Sequence, residues 1–322
     1  MNNKLLTISI AAYNVERYLK RCLDSLIVSE VLPKLEIFVI DDGGKDQSLI
    51  IAQEYEKKYP GVFHAIHKEN GGYGSTVNWS IEHATGKYFK TLDGDDWVDQ
   101  KGLIALIELL AVSDADVVTS PYFKCCDGNK ELRLLKPIVN NDFNSYDRII
   151  PIWCLTYKTE ILKECGLSLI EKINYTDQIY DSVPFTIIKT AENLNTGVYC
   201  YFLGRDEQSS TVPSRIKHIN DMKKVCDYLL HFYENNKNSA NIKFIKVRIT
   251  HCACNDIRNI LLQKLSGNTL KHFKLRDKEI KDRSKDIYYA MEGYFKLGKF
   301  LWLCRKLNYT PYWVIDVFRK RL

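Results

Sequence analysis

The sequence lacks a long hydrophobic run. Its best candidate for a membrane span, Leu103 to Val112, is shorter than the roughly eighteen apolar residues that a helical span needs, and it contains Glu108. The first residues, from Met1 to Lys4, lead directly into a predicted strand without the apolar core of a signal peptide. The sequence therefore predicts a protein that lies in the cytoplasm and has no membrane-spanning helix.

Cysteine spacings typical of zinc sites or redox motifs are also missing. The ten cysteines include no Cys-x-x-Cys pair: Cys125 and Cys126 are adjacent, and one alanine separates Cys252 from Cys254. We interpret the cysteines as small buried hydrophobes of a reducing compartment. His251, next to Cys252, fits one face of a helix better than it fits a metal cluster.

Most of the chain carries no net charge. The total is +6, and residues 293–322 account for it with seven Lys or Arg and one Asp. A neutral body argues against a nucleic-acid partner. This end of the chain predicts either peripheral contact with an anionic membrane surface or packing on the protein itself or on a second subunit of a homo-oligomer. The segment, here named the basic aromatic tail, contains Phe295, Lys296, Lys299, Phe300, Trp302, Arg305, Lys306, Tyr309, Tyr312, Trp313, Phe318, Arg319, Lys320 and Arg321.

Strands and helices alternate through the first 120 residues. Asn14 is predicted to cap the first helix, and the third helix is predicted to run from Ser75 or Thr76 to Ala84. Such alternation is typical of a Rossmann-like α/β domain, with a mostly parallel sheet and flanking helices on both faces. Near-continuous apolar runs predict strands at 5–11, 35–40, 62–66, 88–92 and 116–120, and helical periodicity covers 47–58 and 99–112.

The pattern changes after about residue 121. Residues 122–147 predict loop and short strands, and from Pro213 onward the apolar periodicity is helical. Gly267 is predicted to end one of these helices as its C-cap. We therefore divide the chain into an α/β domain, residues 1–212, and a helical C-terminal region, residues 213–322.

Unusual polar residues follow four of the predicted strands. They are Tyr13-Asn14, Asp41-Asp42, Asn70-Gly71-Gly72 and the run from Asp93 to Asp96. The carboxyl ends of parallel strands lie at one edge of a sheet, and ligands of such sheets bind there. We therefore expect these four groups to converge on a single site.

Three carboxylates stand within four positions at the end of the fourth predicted strand. Asp93, Asp95 and Asp96 would repel one another without a cation, and oxygen ligands at this density suit Mg²⁺ or Mn²⁺ bound together with substrate phosphates. Gly94 lets the backbone bend between the first two acids. The alternative is an acidic turn before a helix that Asp99 caps.

Familiar nucleotide-binding motifs are absent. Ala11 to Arg17 stands where dehydrogenases carry Gly-x-Gly-x-x-Gly, and no Gly-x4-Gly-Lys-Ser/Thr loop is present. The glycine-rich loop with a basic residue that sugar nucleotidyltransferases usually carry after the first strand is missing too. Asn70 to Ser75 is glycine-rich, but a simple turn explains it as well as a phosphate-binding loop does.

Five motifs follow one another in the first hundred residues: Thr7 to Leu19, Val39 to Asp46, Glu69 to Gly72, Ala84 to Tyr88 and Leu92 to Trp97. In their order and spacing they resemble a family 2 glycosyltransferase of the GT-A fold, of the non-processive bacterial polysaccharide type. The likeness is dense over residues 5–100, moderate to about 210 and faint beyond. The Gln-x-x-Arg-Trp motif of processive synthases is absent, which favours transfer of a single sugar.

The resemblance implies a nucleoside diphosphate sugar as donor and a saccharide hydroxyl, on a lipid-linked acceptor or another glycan, as acceptor. Tyr13 would lie near the base, and Asp42, with Asp41 beside it, would accept a hydrogen bond from it, with uracil as the expected base. Asp93 would contact the ribose or the sugar, and Asp95, together with Asp93, would hold Mn²⁺ or Mg²⁺ against the diphosphate. The other donor contacts would come from Ala11, Asn14, Asn70, Gly72, Gly94 and Arg205.

The resemblance also implies a general base. An inverting transfer needs an acid near the acceptor hydroxyl, and similar enzymes carry it roughly eighty residues past the metal motif, where this chain has Asp177. Asp181, one helical turn later, is the alternative, and either acid would also suit a helix N-terminus without any catalytic role. Arg205 could pair with a phosphate or form a surface salt bridge.

One departure leaves the donor sugar open. The usual Ala-Arg-Asn of the third helix reads Thr76-Val77-Asn78 here, so a basic contact to the donor is missing. The leading interpretation is an inverting glycosyltransferase that acts in the synthesis of a surface polysaccharide or another glycan. The alternatives are a sugar nucleotidyltransferase and a catalytically silent module that binds a nucleotide sugar.

Overall fold

The computed structural model describes residues 4–126, 128–204, 208, 211–264 and 266–309. The chain divides into two compact units after Gly204. The domain boundary predicted from the sequence, after residue 212, falls a short way into the second unit. None of the helices in the described ranges has both the length and the apolar content that crossing a bilayer requires.

The first unit alternates strands and helices, as the sequence predicts. Its strands are β1 (Leu6–Ala12), β2 (Leu35–Asp42), β3 (Phe63–Lys68), β4 (Tyr88–Asp93), β5 (Trp97–Val98), β6 (Val117–Thr119), β7 (Tyr122–Cys126), β8 (Asn129–Arg133), β9 (Leu155–Lys158), β10 (Ala191–Asn193) and β11 (Tyr199–Leu203). Its helices are α1 (Glu16–Ser25), α2 (Ser48–Lys58), α3 (Tyr73–His83), α4 (Gln100–Val112), α5 (Thr159–Glu164) and α6 (Asp177–Tyr180).

The main sheet has seven strands in the order β10-β6-β9-β4-β1-β2-β3. β1 pairs in parallel with β2 and β4, and β2 pairs in parallel with β3, whereas β9 runs antiparallel to both of its neighbours. A second sheet has four strands in the order β5-β11-β7-β8. The predicted mostly parallel sheet is therefore confirmed, with one antiparallel strand inserted in it.

The apolar strands are buried because helices cover them. Every residue of β2 is buried, and so is every residue of β1 except Ala11. Leu19 and Leu23 of α1 belong to the same core as Leu103 and Leu106 of α4. Strands that are buried along their whole length read as continuous apolar runs, which is why the sequence located them well.

The first helix is not capped by Asn14, contrary to the prediction. Helix α1 begins at Glu16, whose N–H donates to Oδ2 of Asp46 at 2.8 Å. Asn14 has a φ of 54°, and its Oδ1 accepts from the N–H of Lys45 at 2.9 Å. The cap therefore comes from a residue thirty positions away in the chain, which a local capping pattern does not reveal.

The second unit is helical, as predicted. Gly267 is nevertheless the first residue of a helix and not a C-cap, because the hydroxyl of Ser266 accepts from the N–H of Thr269 at 3.1 Å and caps the helix there. The helices are α7 (Val212–Lys217), α8 (Ile219–Asn235), α9 (Ile242–Leu261), α10 (Gly267–Arg283), α11 (Lys285–Ala290) and α12 (Phe295–Lys306).

The described part of the basic aromatic tail packs within its own unit. Nη2 of Arg305 donates to Oδ1 of Asp277 at 2.7 Å, and the ring of Phe300 stacks on Phe273 with centroids 6.1 Å apart. Packing on the protein itself thus accounts for this part of the tail. Residues 310–322, with Tyr312, Trp313, Phe318 and the last three basic residues, lie outside the described residues, so membrane contact through them stays a prediction.

The cysteines behave as small hydrophobes. Cys126 and Cys165 are partly exposed, and the other eight are buried without disulfides. His251, Cys252 and Cys254 all lie on α9. Within the described ranges, the one group of side chains with metal-binding geometry lies elsewhere, in the first unit.

Candidate active site

Four neighbouring strands end at one edge of the main sheet, and most of the predicted site residues lie there. In the strand register, Ala11 of β1 pairs with Asp93 of β4, and Asp42 of β2 pairs with Lys68 of β3. The convergence expected from the strand pattern is therefore seen in the structure. The residues gathered at this sheet edge are Ala11, Tyr13, Asn14, Asp41, Asp42, Asn70, Gly72, Asp93, Gly94, Asp95 and Asp96.

Asp93, Asp95 and Asp96 form an acid cluster. One carboxylate oxygen from each lies within 4.8 Å of those from the other two. Burial raises the pKa of Asp96 well above its usual range, and the charges of Asp93 and Asp95 raise it further. A divalent cation among these oxygens would relieve that repulsion, so the donor set fits Mn²⁺ or Mg²⁺.

Asp96 is held in place by the protein. It is 1% exposed; its Oδ2 accepts from the hydroxyl of Tyr199 at 2.5 Å, and its Oδ1 accepts from the N–H of Phe202 at 2.7 Å. The Tyr199 oxygen also accepts from the N–H of Asp93 at 3.2 Å. With both oxygens of Asp96 engaged, Asp93 and Asp95 are better placed to turn an oxygen toward a cation.

The backbone at Gly94 is packed too closely for a side chain. A Cβ there would lie 2.9 Å from the carbonyl oxygen of Ala11 and 3.0 Å from Cγ2 of Val15. The carbonyl oxygen of Asp95 accepts from Nη2 of Arg21 at 2.8 Å. These contacts fix the chain on both sides of the bend and so fix the spacing of the two candidate metal ligands.

Asp42 organises the glycine turn that follows β3. Its carboxylate is 3% exposed and accepts from the N–H of Gly71 at 2.9 Å, from the N–H of Gly72 at 2.7 Å and from Nζ of Lys68 at 2.9 Å. Gly72, at a φ of 78°, then turns the chain directly into α3, which begins at Tyr73 and thus earlier than predicted.

Replacing Asp42 by alanine should lower the free energy of unfolding by about 2–4 kcal/mol, because a buried N–H group, a partly buried N–H group and a lysine lose their acceptor. Chemical denaturation of the two proteins would measure this. Asp116→Ala is the matched control, since the partly exposed Asp116 also accepts from two backbone N–H groups, of Lys189 and Thr190, and water can replace it. If Asp42→Ala binds the donor more weakly but keeps the native denaturation midpoint, Asp42 does not hold the glycine turn in place.

The residues predicted to bind the base differ in exposure. Tyr13 is 52% exposed and offers its ring to a ligand, whereas Asp41 is 2% exposed. Oδ1 of Asp41 accepts from the N–H of Gly44 at 3.1 Å, and its Oδ2 lies 2.7 Å from Nδ1 of His67. A base that contacted Asp41 or Asp42 would share a carboxylate that already has protein donors, and that contact stays a prediction.

Asp177 lies in the same neighbourhood as the acid cluster. It is the first residue of α6, and burial raises its pKa to about 6. Burial also raises the pKa of Tyr73, and the charges of Asp93 and Asp177 raise it further. The negative charges of Asp93 and Asp177 therefore both act on the phenol group of Tyr73. The alternative base, Asp181, is 7% exposed, and its Oδ1 accepts from the hydroxyl of Ser182 at 3.1 Å.

The segment before α6 is fastened to α3 and to the glycine turn. The side-chain amide of Asn78 accepts from the N–H of Leu169 and donates to its carbonyl oxygen, both at 2.9 Å. The N–H of Lys172 donates to the carbonyl oxygen of Gly71 at 2.6 Å. The side chain of Asn78 therefore has a structural role. Its neighbour Val77, which stands where the family has an arginine, is 1% exposed.

Three residues of the site were not found from the sequence, and one predicted residue cannot be placed. Tyr73 follows Gly72 in the glycine-rich loop, and that position could have drawn attention to it. Tyr199 reaches Asp96 across 103 residues of chain, and no local pattern marks it or Arg21. Arg205 lies outside the described residues.

Comparison with known proteins identifies the family of this chain. The family model described as Glycosyl transferase family 2 matches residues 7–170. The uncharacterized glycosyltransferase EpsJ of Bacillus subtilis is 28% identical over 210 residues, which cover 61% of this chain and 60% of EpsJ. The poly(ribitol-phosphate) beta-glucosyltransferase of Bacillus spizizenii is 28% identical over 215 residues, which cover 64% of this chain and 33% of that enzyme. This chain therefore spans well under the full length of these curated relatives.

A solved structure supports the fold. Residues 1–349 of S. aureus TarS, in complex with UDP-GlcNAc, match this chain with a TM-score of 0.59 at 16% identity, covering 90% of this chain and 91% of that one. At this identity the likeness shows the fold alone. The first unit therefore has the GT-A fold that the sequence motifs led us to expect, and a helical unit follows it in the chain.

Proposed function

Because the chain belongs to glycosyl transferase family 2, we propose that it is an inverting enzyme that moves one sugar from a UDP-sugar to a hydroxyl group of a saccharide acceptor. Glycosyltransferase activity follows from the family. The nucleotide, the stereochemical course and the residue roles are inferred from the chemistry available at the sheet edge.

Asp177 is the proposed general base. Its carboxylate takes the proton of the acceptor hydroxyl as that oxygen bonds to the anomeric carbon of the donor sugar. The bond from the anomeric carbon to the diphosphate oxygen breaks, and its electron pair leaves with UDP. A carboxyl group with a pKa of about 6 is mostly ionised at pH 7, yet it is a stronger base than an ordinary aspartate.

Asp93 and Asp95 are the proposed ligands of Mn²⁺ or Mg²⁺. A bound divalent ion would neutralise part of the negative charge that develops on the departing diphosphate. Asp96, whose carboxylate accepts hydrogen bonds from Tyr199 and Phe202, is proposed to hold the acid cluster in position without binding the ion itself. Tyr13, with half of its surface exposed, is the proposed stacking partner of the base.

The observation that carries the proposal is the acid cluster, in which one oxygen each of Asp93, Asp95 and Asp96 lies within 4.8 Å of the others, at the same sheet edge as the glycine turn held by Asp42. The charges of Asp93 and Asp177 also both raise the pKa of Tyr73, and a metal ligand and a base placed in this way would supply the two charges that an inverting transfer requires. A module that only binds nucleotide sugars needs no acid with a raised pKa beside the donor site. The missing basic loop after β1 argues against a nucleotidyltransferase.

The acceptor is proposed to be a growing surface polysaccharide or a related glycan, at the cytoplasmic side of the membrane. The name of the B. spizizenii relative supports a polymer such as poly(ribitol-phosphate) as acceptor, and the UDP-GlcNAc bound by TarS supports a UDP-linked donor. The B. spizizenii relative is 28% identical to this chain and TarS is 16% identical, so both assignments are proposals. The sugar itself stays open, since no arginine of the third helix contacts the donor here.

Thermal stabilisation by nucleotide sugars tests the donor. UDP-sugars with Mn²⁺ should stabilise the protein by about 2.7 kcal/mol at a hundred times their dissociation constant, and GDP-sugars should not. Differential scanning fluorimetry with and without Mn²⁺ would measure this. Stabilisation by GDP-sugars alone would overturn the UDP assignment. Release of pyrophosphate from UTP and a sugar phosphate would overturn the transferase reaction in favour of a nucleotidyltransferase.

A further inference from the structure

Arg21 of α1 contacts the turn that carries the acid cluster. Its Nη2 donates to the carbonyl oxygen of Asp95 at 2.8 Å. Within the turn, the N–H of Asp96 donates to the carbonyl oxygen of Asp93 at 3.0 Å. The turn from Asp93 to Asp96 is therefore fastened by one hydrogen bond of its own and by a second from the helix beside it.

Aromatic rings hold the guanidinium group of Arg21 in place. Its Cζ lies 3.8 Å from the ring centroid of Trp97 and 4.7 Å from that of Phe202. Trp97 belongs to β5, directly after the turn, and Phe202 belongs to β11. A guanidinium group is planar and weakly hydrated, so it stacks well on aromatic faces. Two strands of the second sheet therefore set the position from which Arg21 donates to Asp95.

Further hydrogen bonds join the same elements around the acid cluster. The hydroxyl of Ser25, one helical turn after Arg21 on α1, accepts from the N–H of Val98 at 3.1 Å. From β11, the N–H of Phe202 donates to Oδ1 of Asp96 at 2.7 Å. The acid cluster is therefore surrounded by α1, β5 and β11, and the side chain of Arg21 connects its own helix with both strands.

We propose that Arg21 is a positioning residue for the divalent cation: by holding the carbonyl oxygen of Asp95, it fixes the direction in which the Asp95 carboxylate points. Groups that orient a metal ligand without touching the metal typically change metal affinity or activity by about tenfold to a hundredfold when they are replaced. This role rests on the proposed function, because Asp95 must be a ligand of Mn²⁺ or Mg²⁺.

The positive charge of Arg21 by itself would have the opposite effect. A guanidinium group beside a cation site repels the cation, so its removal should strengthen Mn²⁺ binding if charge alone mattered. Loss of the hydrogen bond to Asp95 should instead weaken Mn²⁺ binding, because the carboxylate is then held less firmly in the binding geometry. The sign of the change in Mn²⁺ affinity therefore distinguishes positioning from simple electrostatic repulsion.

The experiment titrates Mn²⁺ into the intact protein, with and without UDP, and reads binding by calorimetry. Arg21→Met keeps an unbranched apolar side chain but has no donor, and its dissociation constant for Mn²⁺ should rise about tenfold to a hundredfold. Its melting temperature without Mn²⁺ should stay close to the native value, because Arg21 is exposed. Arg17→Met is the control: it removes the same charge from an exposed position one helical turn earlier on α1, and it should bind Mn²⁺ as the native protein does.

The outcomes separate this role from the metal site itself. Weaker Mn²⁺ binding in Arg21→Met, with native binding in Arg17→Met, supports the positioning role. Equal or tighter binding in Arg21→Met, or equal weakening in the two variants, overturns it and leaves the proposed metal site standing. A native protein that binds no Mn²⁺ in either titration rejects the metal site, and the role of Arg21 with it.

A second variant covers the case in which Arg21→Met does not fold. Trp97→Leu removes the ring against which the guanidinium group stacks and changes no charge, so Mn²⁺ binding should weaken in the same direction. Native Mn²⁺ binding in Trp97→Leu would then overturn the positioning role. Since calorimetry of Mn²⁺ requires no sugar transfer, a failure of the proposed reaction would not be mistaken for a failure of this inference.

Discussion

Replacing Asp95 by asparagine should lower kcat/KM for sugar transfer on the order of a hundredfold to a thousandfold, which is the usual effect of removing one group that stabilises developing charge. Asparagine has nearly the same shape as aspartate, so the bend at Gly94 and the contact with Arg21 are preserved. One negative charge is lost from a cluster whose oxygens lie within 4.8 Å of one another. The measurement is the rate of UDP release with a range of Mn²⁺ concentrations.

A charge-matched control separates metal binding from a general loss of negative charge. Asp99→Asn also removes one carboxylate close in sequence, but Asp99 caps α4 by accepting from the N–H of Gly102 at 3.0 Å, and asparagine caps helices equally well. Asp99→Asn should therefore keep the native rate and the thermal shift caused by Mn²⁺, and Asp95→Asn should lose both. Native activity in Asp95→Asn would mean that the acid cluster is only an acidic turn.

The fold was predicted well where each residue's environment is set by its neighbours in the chain. β1, β2 and β4 are buried on both faces, so their apolar runs alone identified them. β9 was harder to place: it lies between β4 and β6 and runs antiparallel to both, and the pairing partners are set by contacts far along the chain. The prediction that Asn14 caps α1 was wrong for the same reason, because the N–H of Glu16 donates to Asp46, thirty positions along the chain.

The candidate site shows the same division. Asp93 and Asp95 were found because a dense acidic run at a strand end has a direct chemical meaning. Tyr199, which bridges the acid cluster, was not found, because only the folded chain brings it there. Asp177 was chosen through the family resemblance, and the residues themselves would not have distinguished it from Asp181. Its raised pKa and its effect on Tyr73 are consistent with that choice, which stays a prediction.

Replacing Asp177 by asparagine should abolish transfer, with a loss of a hundredfold to ten-thousandfold expected for a general base, while donor binding is retained. In the native enzyme the base works only when ionised, so the rate should fall about tenfold per pH unit below its pKa of about 6 and level off above it. The pH profile of kcat/KM, together with a UDP titration of the variant, would measure both effects.

Stability provides an independent check of the raised pKa of Asp177. The folded-state pKa of Asp177 lies above the usual value of about 3.9, so ionising this carboxyl costs the native state stability above pH 6, and that cost disappears as pH falls toward 4. Asp177→Asn should therefore melt a few degrees higher than the native protein at pH 7 and show no such gain near pH 4. Asp181→Asn is the control, with the same loss of charge one helical turn away and a side chain that already accepts from Ser182. If Asp181→Asn is inactive and Asp177→Asn is not, the base has been assigned to the wrong carboxylate, and the acceptor must approach Asp181, which directly follows α6.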